Sequence, residues 1–220
     1  MVARQLISAA IGTLNPTDTG AFALGLMDEL HVSQLPVVND KEYLGLISDT
    51  DIYMLNILEE PVNSQKFLLN FIYVKEDQHI YEVMKLFYSL HLSLLPVVDD
   101  KNQYTGCITL ANLVQNFAEI TAIDNPGGII VLEISAKDYL LTEIVQIIES
   151  NDAKVLSMYI TSHPDSTKFE VTLKINKMDV GPILQTFNRY DYIISASFTE
   201  DTYTENLQDR YDSLMNYLNI

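Results

Sequence analysis

Two kinds of hydrophobic spacing alternate along the first half of the chain. Ala23, Leu26, Met27 and Leu30 recur at i, i+3, i+4 and i+7, as do Val83, Leu86, Phe87 and Leu90, so each set predicts a helix with one apolar face. After each stripe comes a short apolar run ending in Pro-Val-Val, then a polar turn (Asn39 to Glu42; Asp99 to Gln103), then a second apolar run, Tyr43 to Ile47 or Tyr104 to Ile108. Two apolar runs separated by a polar turn predict a hairpin. Each hairpin leads into a helix start, Ser48-Asp49-Thr50-Asp51 ahead of Ile52 to Leu58 and Thr109-Leu110-Ala111-Asn112 ahead of Leu113 to Phe117.

The two blocks are copies. At an offset of 60, Leu30 to Val38 falls on Leu90 to Val98 with seven of nine positions identical. Each copy reads strand, helix, strand, strand, helix. One copy of about 50 residues is small for a core, so two stacked copies sharing a buried face form the sensible unit.

The pattern changes at Asn125-Pro126-Gly127-Gly128, a punctuation that reads as a linker. Beyond it, Ile129 to Ile134 reads as a buried strand, Leu141, Ile144, Val145 and Ile148 as a helical stripe, and Val155 to Ile160 as a second strand. Phe169, Val171, Leu173 and Ile175 alternate with polar residues, the mark of a strand with one wet face. Val180, Ile183, Leu184 and Phe187 give another helix, with Pro182 in its first turn and Asp179 favoured over Asn176 as cap, and Tyr190 to Ser197 gives the last strand. The order β-α-β-β-α-β is a ferredoxin-like arrangement. Leu207, Tyr211, Leu214 and Leu218 then form the apolar stripe of an acidic terminal helix. The expected fold class is α/β (α+β): repeats at 4–60 and 61–122, a linker at 123–128, a ferredoxin-like domain at 129–199 and a helix at 200–220.

Composition removes several function classes. Of the 220 residues 48% are hydrophobic, and 13 Lys and Arg against 30 Asp and Glu give a net charge of -17. Without clustered cations, nucleic acid and anionic membrane surfaces are poor partners. One cysteine, Cys107, excludes an internal disulfide, and neither a signal-peptide pattern nor 18 unbroken apolar residues occurs, so a cytoplasmic protein is expected. Catalysis is not expected either. His31, His79, His91 and His163 are scattered, Cys107 sits in an apolar strand, and the pairs Asp99-Asp100 and Glu59-Glu60 fall in turn or helix-end contexts.

The twice-repeated order of helix, Leu-Pro-Val-Val, turn, apolar-Gly-apolar (Leu44-Gly45-Leu46-Ile47; Thr105-Gly106-Cys107-Ile108) and Ser/Thr-x-x-Asp/Asn resembles a tandem CBS pair, or Bateman module, over residues 4 to 120. The ferredoxin-like domain behind it looks like an ACT domain, with Ser135-Ala136-Lys137-Asp138-Tyr139 where that family has a glycine-containing turn at which its backbone approaches a bound amino acid. The order as a whole is similar to CBS-ACT accessory proteins of the bacterial acetoin-utilisation type.

The resemblance implies an adenosyl ligand held in one or both clefts of the pair. Ser48 and Asp51 would then hold ribose and phosphate, and Thr109 and Asn112 their equivalents, since a carboxylate accepts two diol hydrogens and a helix N-terminus favours an anion. A capping box explains the same tetrapeptide. The purine slot would be lined by Gly12, Thr13, Leu14, Val32, Leu35 and Pro36, and in the second copy by Tyr73, Val74, Leu92, Leu95 and Pro96. The position often held by arginine in nucleotide-sensing members is Ser33 in one copy and Ser93 in the other, which leaves His31 and His91 as anion-facing candidates. The ligands implied are adenosine, AMP, S-adenosylmethionine or magnesium-bound ATP, with no required cofactor and no bound metal. A homodimer and a partner enzyme are expected. The alternative is a structural adaptor whose ligand sites are degenerate.

Overall fold

The computed structural model describes residues 1–8, 11–64, 70–162 and 167–199. The chain divides into two compact units, Met1–Asn116 and Phe117–Ile220. The terminal stripe Leu207 to Leu218, together with His163, lies outside the described residues.

The first unit holds both repeats. Repeat one contains α1 (Gly20–Leu30), the antiparallel pair β1 (Gln34–Asn39) and β2 (Glu42–Ser48), and α2 (Asp49–Leu55); repeat two contains β3 (Val74–Lys75), α3 (Ile80–Leu90), β4 (Leu94–Val98), β5 (Tyr104–Thr109) and α4 (Leu110–Ile120). The order β3-β4-β5 makes a three-stranded sheet, with β3 parallel to β4. In repeat one the expected opening strand shrinks to a single parallel bridge, Leu14 to Val37. Proline is the cause. In repeat two the ladder continues through Glu76 N–H to the Val98 carbonyl at 3.1 Å, whereas the equivalent position in repeat one is Pro16, which has no N–H to donate.

Both helical stripes and both hairpins feed one core, in which Leu14, Leu35, Ile47 and Ile52 of repeat one pack with Val74, Leu94, Leu95 and Ile108 of repeat two. The two repeats are therefore one folding unit. The hairpin tips meet as well, since Tyr104 N–H donates to the Lys41 carbonyl at 2.8 Å.

The second unit contains β6 (Ile129–Ser135), α5 (Leu141–Ser150), β7 (Val155–Ser162), β8 (Lys168–Ile175), α6 (Gly181–Arg189) and β9 (Ile193–Phe198). The sheet order is β7-β8-β6-β9, all antiparallel, which is the ferredoxin-like topology. Ile130, Leu132, Val171, Leu173 and Ile175 bury their side chains with Ile144, Ile148, Ile183 and Phe187 from the helices. Helix α6 begins one residue later than a cap at Asp179 implies: Val180 is the N-cap, Pro182 lies in the first turn, and the Asp179 carboxylate accepts from Gly181 N–H at 3.0 Å. The last strand starts at Ile193 rather than Tyr190, because Asp191 takes a left-handed conformation (φ 59°) that closes the preceding helix. Among the described residues no helix is long and apolar enough to cross a membrane.

Candidate functional site

Hairpin register sets the position of the first candidate corner. With Leu35 opposite Ile47 and Gln34 opposite Ser48, β2 delivers Ser48 to the start of α2 as its N-cap. The Ser48 hydroxyl accepts from Asp51 N–H at 3.0 Å, and Asp51 Oδ2 in turn accepts from Ser48 N–H at 3.0 Å and from the Ser48 hydroxyl at 2.6 Å. This is a complete capping box. It fixes the carboxylate in one rotamer, half-buried, with Oδ2 saturated and Oδ1 carrying no hydrogen bond from the described residues. The cap and a ligand-gripping role are thus compatible, because they use different oxygens.

The matching corner of repeat two is built differently. Thr109 caps α4 by accepting from Asn112 N–H at 3.1 Å, yet the Asn112 amide donates to the Leu6 carbonyl at 2.6 Å, and its oxygen accepts from Asn116 at 3.2 Å. Leu6 belongs to an N-terminal strap that runs along repeat two. Ala3 N–H donates to the Gln78 carbonyl, Ile80 N–H to the Met1 carbonyl, and Ser8 N–H to the Cys107 carbonyl. The strap lies so close to β5 that a side chain at Gly106, whose φ is 156°, would strike Ile7. Asn112 therefore ties down the strap through its side-chain amide.

Ser33 and Ser93 meet at the seam between the repeats. Ser33 N–H donates to Ser93 Oγ at 2.9 Å, while Ser93 donates to Gln34 Oε1 from its backbone N–H (2.9 Å) and its hydroxyl (2.8 Å). His31 and His91 are both exposed and both take the left-handed conformation (φ 53° and 51°) that ends α1 and α3. His31, with Val32 and Ser33, borders a cavity of about 290 Å³ whose other walls include Asp28, Asp49 and Tyr53. Asp49 and Asp51 are two positions apart and so project from different sides of α2, which separates His31 from the Asp51 carboxylate. Two carboxylates beside that imidazole make this cavity a poor seat for phosphate.

The apolar candidates are placed by strand pairing. Leu14 donates to the Pro36 carbonyl at 2.9 Å and accepts from Val38 at 2.8 Å, so Gly12 and Thr13 approach β1 with Leu14 and Pro36 buried and Val32 half-buried. In repeat two, Val74 pairs with Val97, and Leu92 and Pro96 are buried. Tyr73 packs among other aromatic rings. Its ring packs edge-on against Tyr43 (6.1 Å) and Phe71 (6.0 Å), beside Val38, Val98 and Tyr104.

Sequence reasoning missed this aromatic cluster, although Tyr43 and Tyr104 occupy one position in both copies. The Tyr43 hydroxyl donates to the Ile72 carbonyl at 2.6 Å and the Tyr104 hydroxyl to Cys107 Sγ at 3.3 Å; burial holds both phenols well above their ordinary range. Burial likewise pushes the Cys107 thiol up to about 12, opposed in part by the Tyr104 hydrogen bond. A thiol so buried is a core residue, not a nucleophile. Gln34 was also missed; its only signal is that it breaks the repeat, standing where repeat two has Leu94.

Residues 3–55 and 68–119 match the family model of the CBS domain. Among curated proteins, an inosine-5'-monophosphate dehydrogenase of Methanocaldococcus jannaschii is 29% identical over 116 residues, which is 51% of this chain and 23% of that enzyme's length. Among solved structures, a CBS domain pair/ACT domain protein from Thermotoga maritima superposes at a TM-score of 0.47 with 19% identity, covering 54% of this chain and 98% of the other. CBSX2 in complex with AMP gives a TM-score of 0.47 with 22% identity over 54% of this chain and 97% of that one.

Proposed function

Because the chain carries a tandem CBS-domain pair, we propose that it is a regulatory ligand-sensing protein in which repeat one binds an adenosyl nucleotide or nucleoside and repeat two has become structural. The observation that carries this reading is Asp51: a half-buried carboxylate, held in place through Oδ2, keeps Oδ1 available for a ribose diol. The purine would lie against Leu14, Val32 and Pro36. Asn112 offers a neutral amide in place of a carboxylate, and that amide already bonds Leu6 through its nitrogen and Asn116 through its oxygen. Thr109, His91, Ser93 and Tyr73 then serve caps, seam and aromatic cluster rather than a second ligand.

The ligand carries little negative charge in this reading. Among the described residues that line the His31 cavity none is a lysine or arginine, so adenosine, AMP or S-adenosylmethionine fits better than free ATP, and ATP only with magnesium to neutralise it. The ferredoxin-like unit is read as an ACT-like receiver that passes the bound state to a partner enzyme, within a cytoplasmic homodimer that performs no chemistry of its own. Transmission is a population shift, which requires the ligand to prefer one arrangement of the chain over another.

The hydrogen bonds that already engage Ser93 and Asn112 favour one competing reading, an adaptor that has lost ligand binding altogether. A thermal-shift panel of adenosine, AMP, ADP, ATP with and without magnesium, S-adenosylmethionine and amino acids separates the two. One adenosyl ligand stabilising the wild type but not Asp51→Ala supports sensing; no shift from any of them supports the adaptor.

A further inference from the structure

Each repeat hangs the start of its second helix from the serine that precedes its hairpin: Asp49 N–H donates to the Ser33 carbonyl at 3.0 Å, and Leu110 N–H to the Ser93 carbonyl at 3.1 Å. The two serines are themselves joined, since Ser33 N–H donates to Ser93 Oγ and Gln34 Oε1 holds Ser93 through its N–H and its hydroxyl. The series continues at both ends. In repeat one, Asp49 lies inside the box that Ser48 and Asp51 close on each other. In repeat two, Leu110 lies between Thr109, which caps α4 at Asn112 N–H, and Asn112 itself, whose amide donates to the Leu6 carbonyl of the strap at 2.6 Å. An unbroken path thus runs from the Asp51 carboxylate across the seam to the N-terminal strap.

We propose that this path is a relay coupling the Ser48–Asp51 corner to the strap, so that whatever tightens or loosens the corner tightens or loosens the hold of repeat two on residues 1–8. Three observations carry it. The seam links are bonded on both sides: Ser33 gives its N–H to Ser93 and its carbonyl to Asp49, and Ser93 Oγ accepts from Ser33 while donating to Gln34, so no link shifts without moving the next. Gln34, Ser48, Asp51, Ser93, Thr109 and Asn112 are half-buried, where a broken hydrogen bond is not simply replaced by one to water. The strap supplies an element with two states, docked and released. It is a terminal segment held by a few backbone bonds and the buried side chains of Ala3 and Leu6, and such segments open at lower cost than the whole fold. The relay does not depend on the ligand reading: a group bound at Asp51 would be one way of working it, and the test uses none.

Amide hydrogen exchange in the full chain, followed residue by residue, tests it through a double-mutant cycle. Ser48→Ala opens the capping box. The strap amides of Ala3, Arg4 and Ser8 are then expected to exchange at least about fivefold faster, the lower end of ordinary coupling between sites, while amides of β4 and of the second unit keep their rates. Gln34→Leu cuts the relay at the seam, so adding Ser48→Ala to that variant should change the strap rates by less than about twofold. If Gln34→Leu fails to fold, Ser93→Ala cuts the same path at its centre and takes its place in the cycle. Strap rates unchanged by Ser48→Ala overturn the proposal. So does an equal acceleration with and without the seam substitution, which would route the coupling elsewhere, or a uniform acceleration of strap and β4, which would reduce the effect to a loss of overall stability.

Discussion

Ser33 and Ser93 occupy the same position in the two repeats, and they touch: the Ser33 N–H donates to Ser93 Oγ at 2.9 Å. The contact is not symmetric. Gln34 supplies the acceptor for both the backbone N–H and the hydroxyl of Ser93, and its counterpart Leu94 cannot reciprocate. A seam that two identical copies would leave with unpaired donors is closed by one substitution in one copy.

Replacing Gln34 by Leu restores repeat symmetry and strands those two donors. The expected loss is about 1–3 kcal/mol of stability, read as a lower urea midpoint at unchanged slope. In a double-mutant cycle with Ser93→Ala the two losses should add incompletely, since both variants remove the bond from the Ser93 hydroxyl to Gln34, while the Ser93 N–H bond is lost only with Gln34 and the Ser33 N–H bond only with the Ser93 hydroxyl. Additive losses would show that the seam does not depend on this contact.

Asp51 and Asn112 respond oppositely to truncation. Asp51→Ala costs about 1 kcal/mol through loss of the cap. It also abolishes stabilisation by an adenosyl ligand, which at 100 times its dissociation constant is about 2.7 kcal/mol. Asn112→Ala releases the strap at Leu6, costs about 1–3 kcal/mol, and leaves the ligand-induced shift intact. Thermal melts with and without ligand distinguish the pair. An Asn112→Ala variant that loses the shift would place the ligand in repeat two.

Cys107 makes stability sensitive to alkali. Its thiol titrates at about 12 when folded against 9.0 for an unperturbed thiol, chiefly through burial. Below pH 9 both states hold the proton and nothing is lost. Between 9 and 12 the unfolded state releases it and the folded state does not, so this group lowers stability as pH rises, by about 1.4 kcal/mol per unit. Cys107→Ser retains a polar atom for the Tyr104 hydroxyl and should flatten the decline between pH 9 and 10, measured by urea unfolding. In the wild type, a disulfide reagent at pH 8 should find no thiol until denaturant is added.

Gly127 tests whether the two units fail separately. It has φ 152°, and a Cβ there would run into the Ile175 carbonyl oxygen beside the start of β6. Gly127→Ala should cost about 1–3 kcal/mol in the second unit. Amide exchange should quicken in β6 and β8, while the shared core of the repeats keeps its protection. Equal loss in both units would mean that they unfold as one.

The duplicated Leu-Pro-Val-Val segment, the two hairpins and the ferredoxin-like order were legible because burial imposes a period on sequence: three to four for the stripe from Ala23 to Leu30, two for Phe169 to Ile175. Pro16 could have been read from sequence too, as a residue unable to extend the opening ladder. The corner at Ser48 and Asp51 was legible as a capping box, since all its bonds lie within four residues. What sequence hid are partners far apart. Asn112 meets Leu6, Ser93 meets Gln34, and Tyr73 meets Tyr43. A short polar side chain carries no periodic mark of a partner brought to it by tertiary packing, and an aromatic ring looks the same in a ligand slot and in a core.

The strap has a bearing on how the protein is made. Ser8 pairs with Cys107, so an emerging chain must wait for about 100 further residues, roughly 5–20 s at ordinary synthesis rates, before its opening stretch finds its berth. Until then repeat one, though already outside the ribosome, holds its apolar side open, and loop closure over that distance delays the final step. The nascent protein thus spends those seconds as an incomplete half with sticky strands, the interval in which a chaperone would have the most to protect.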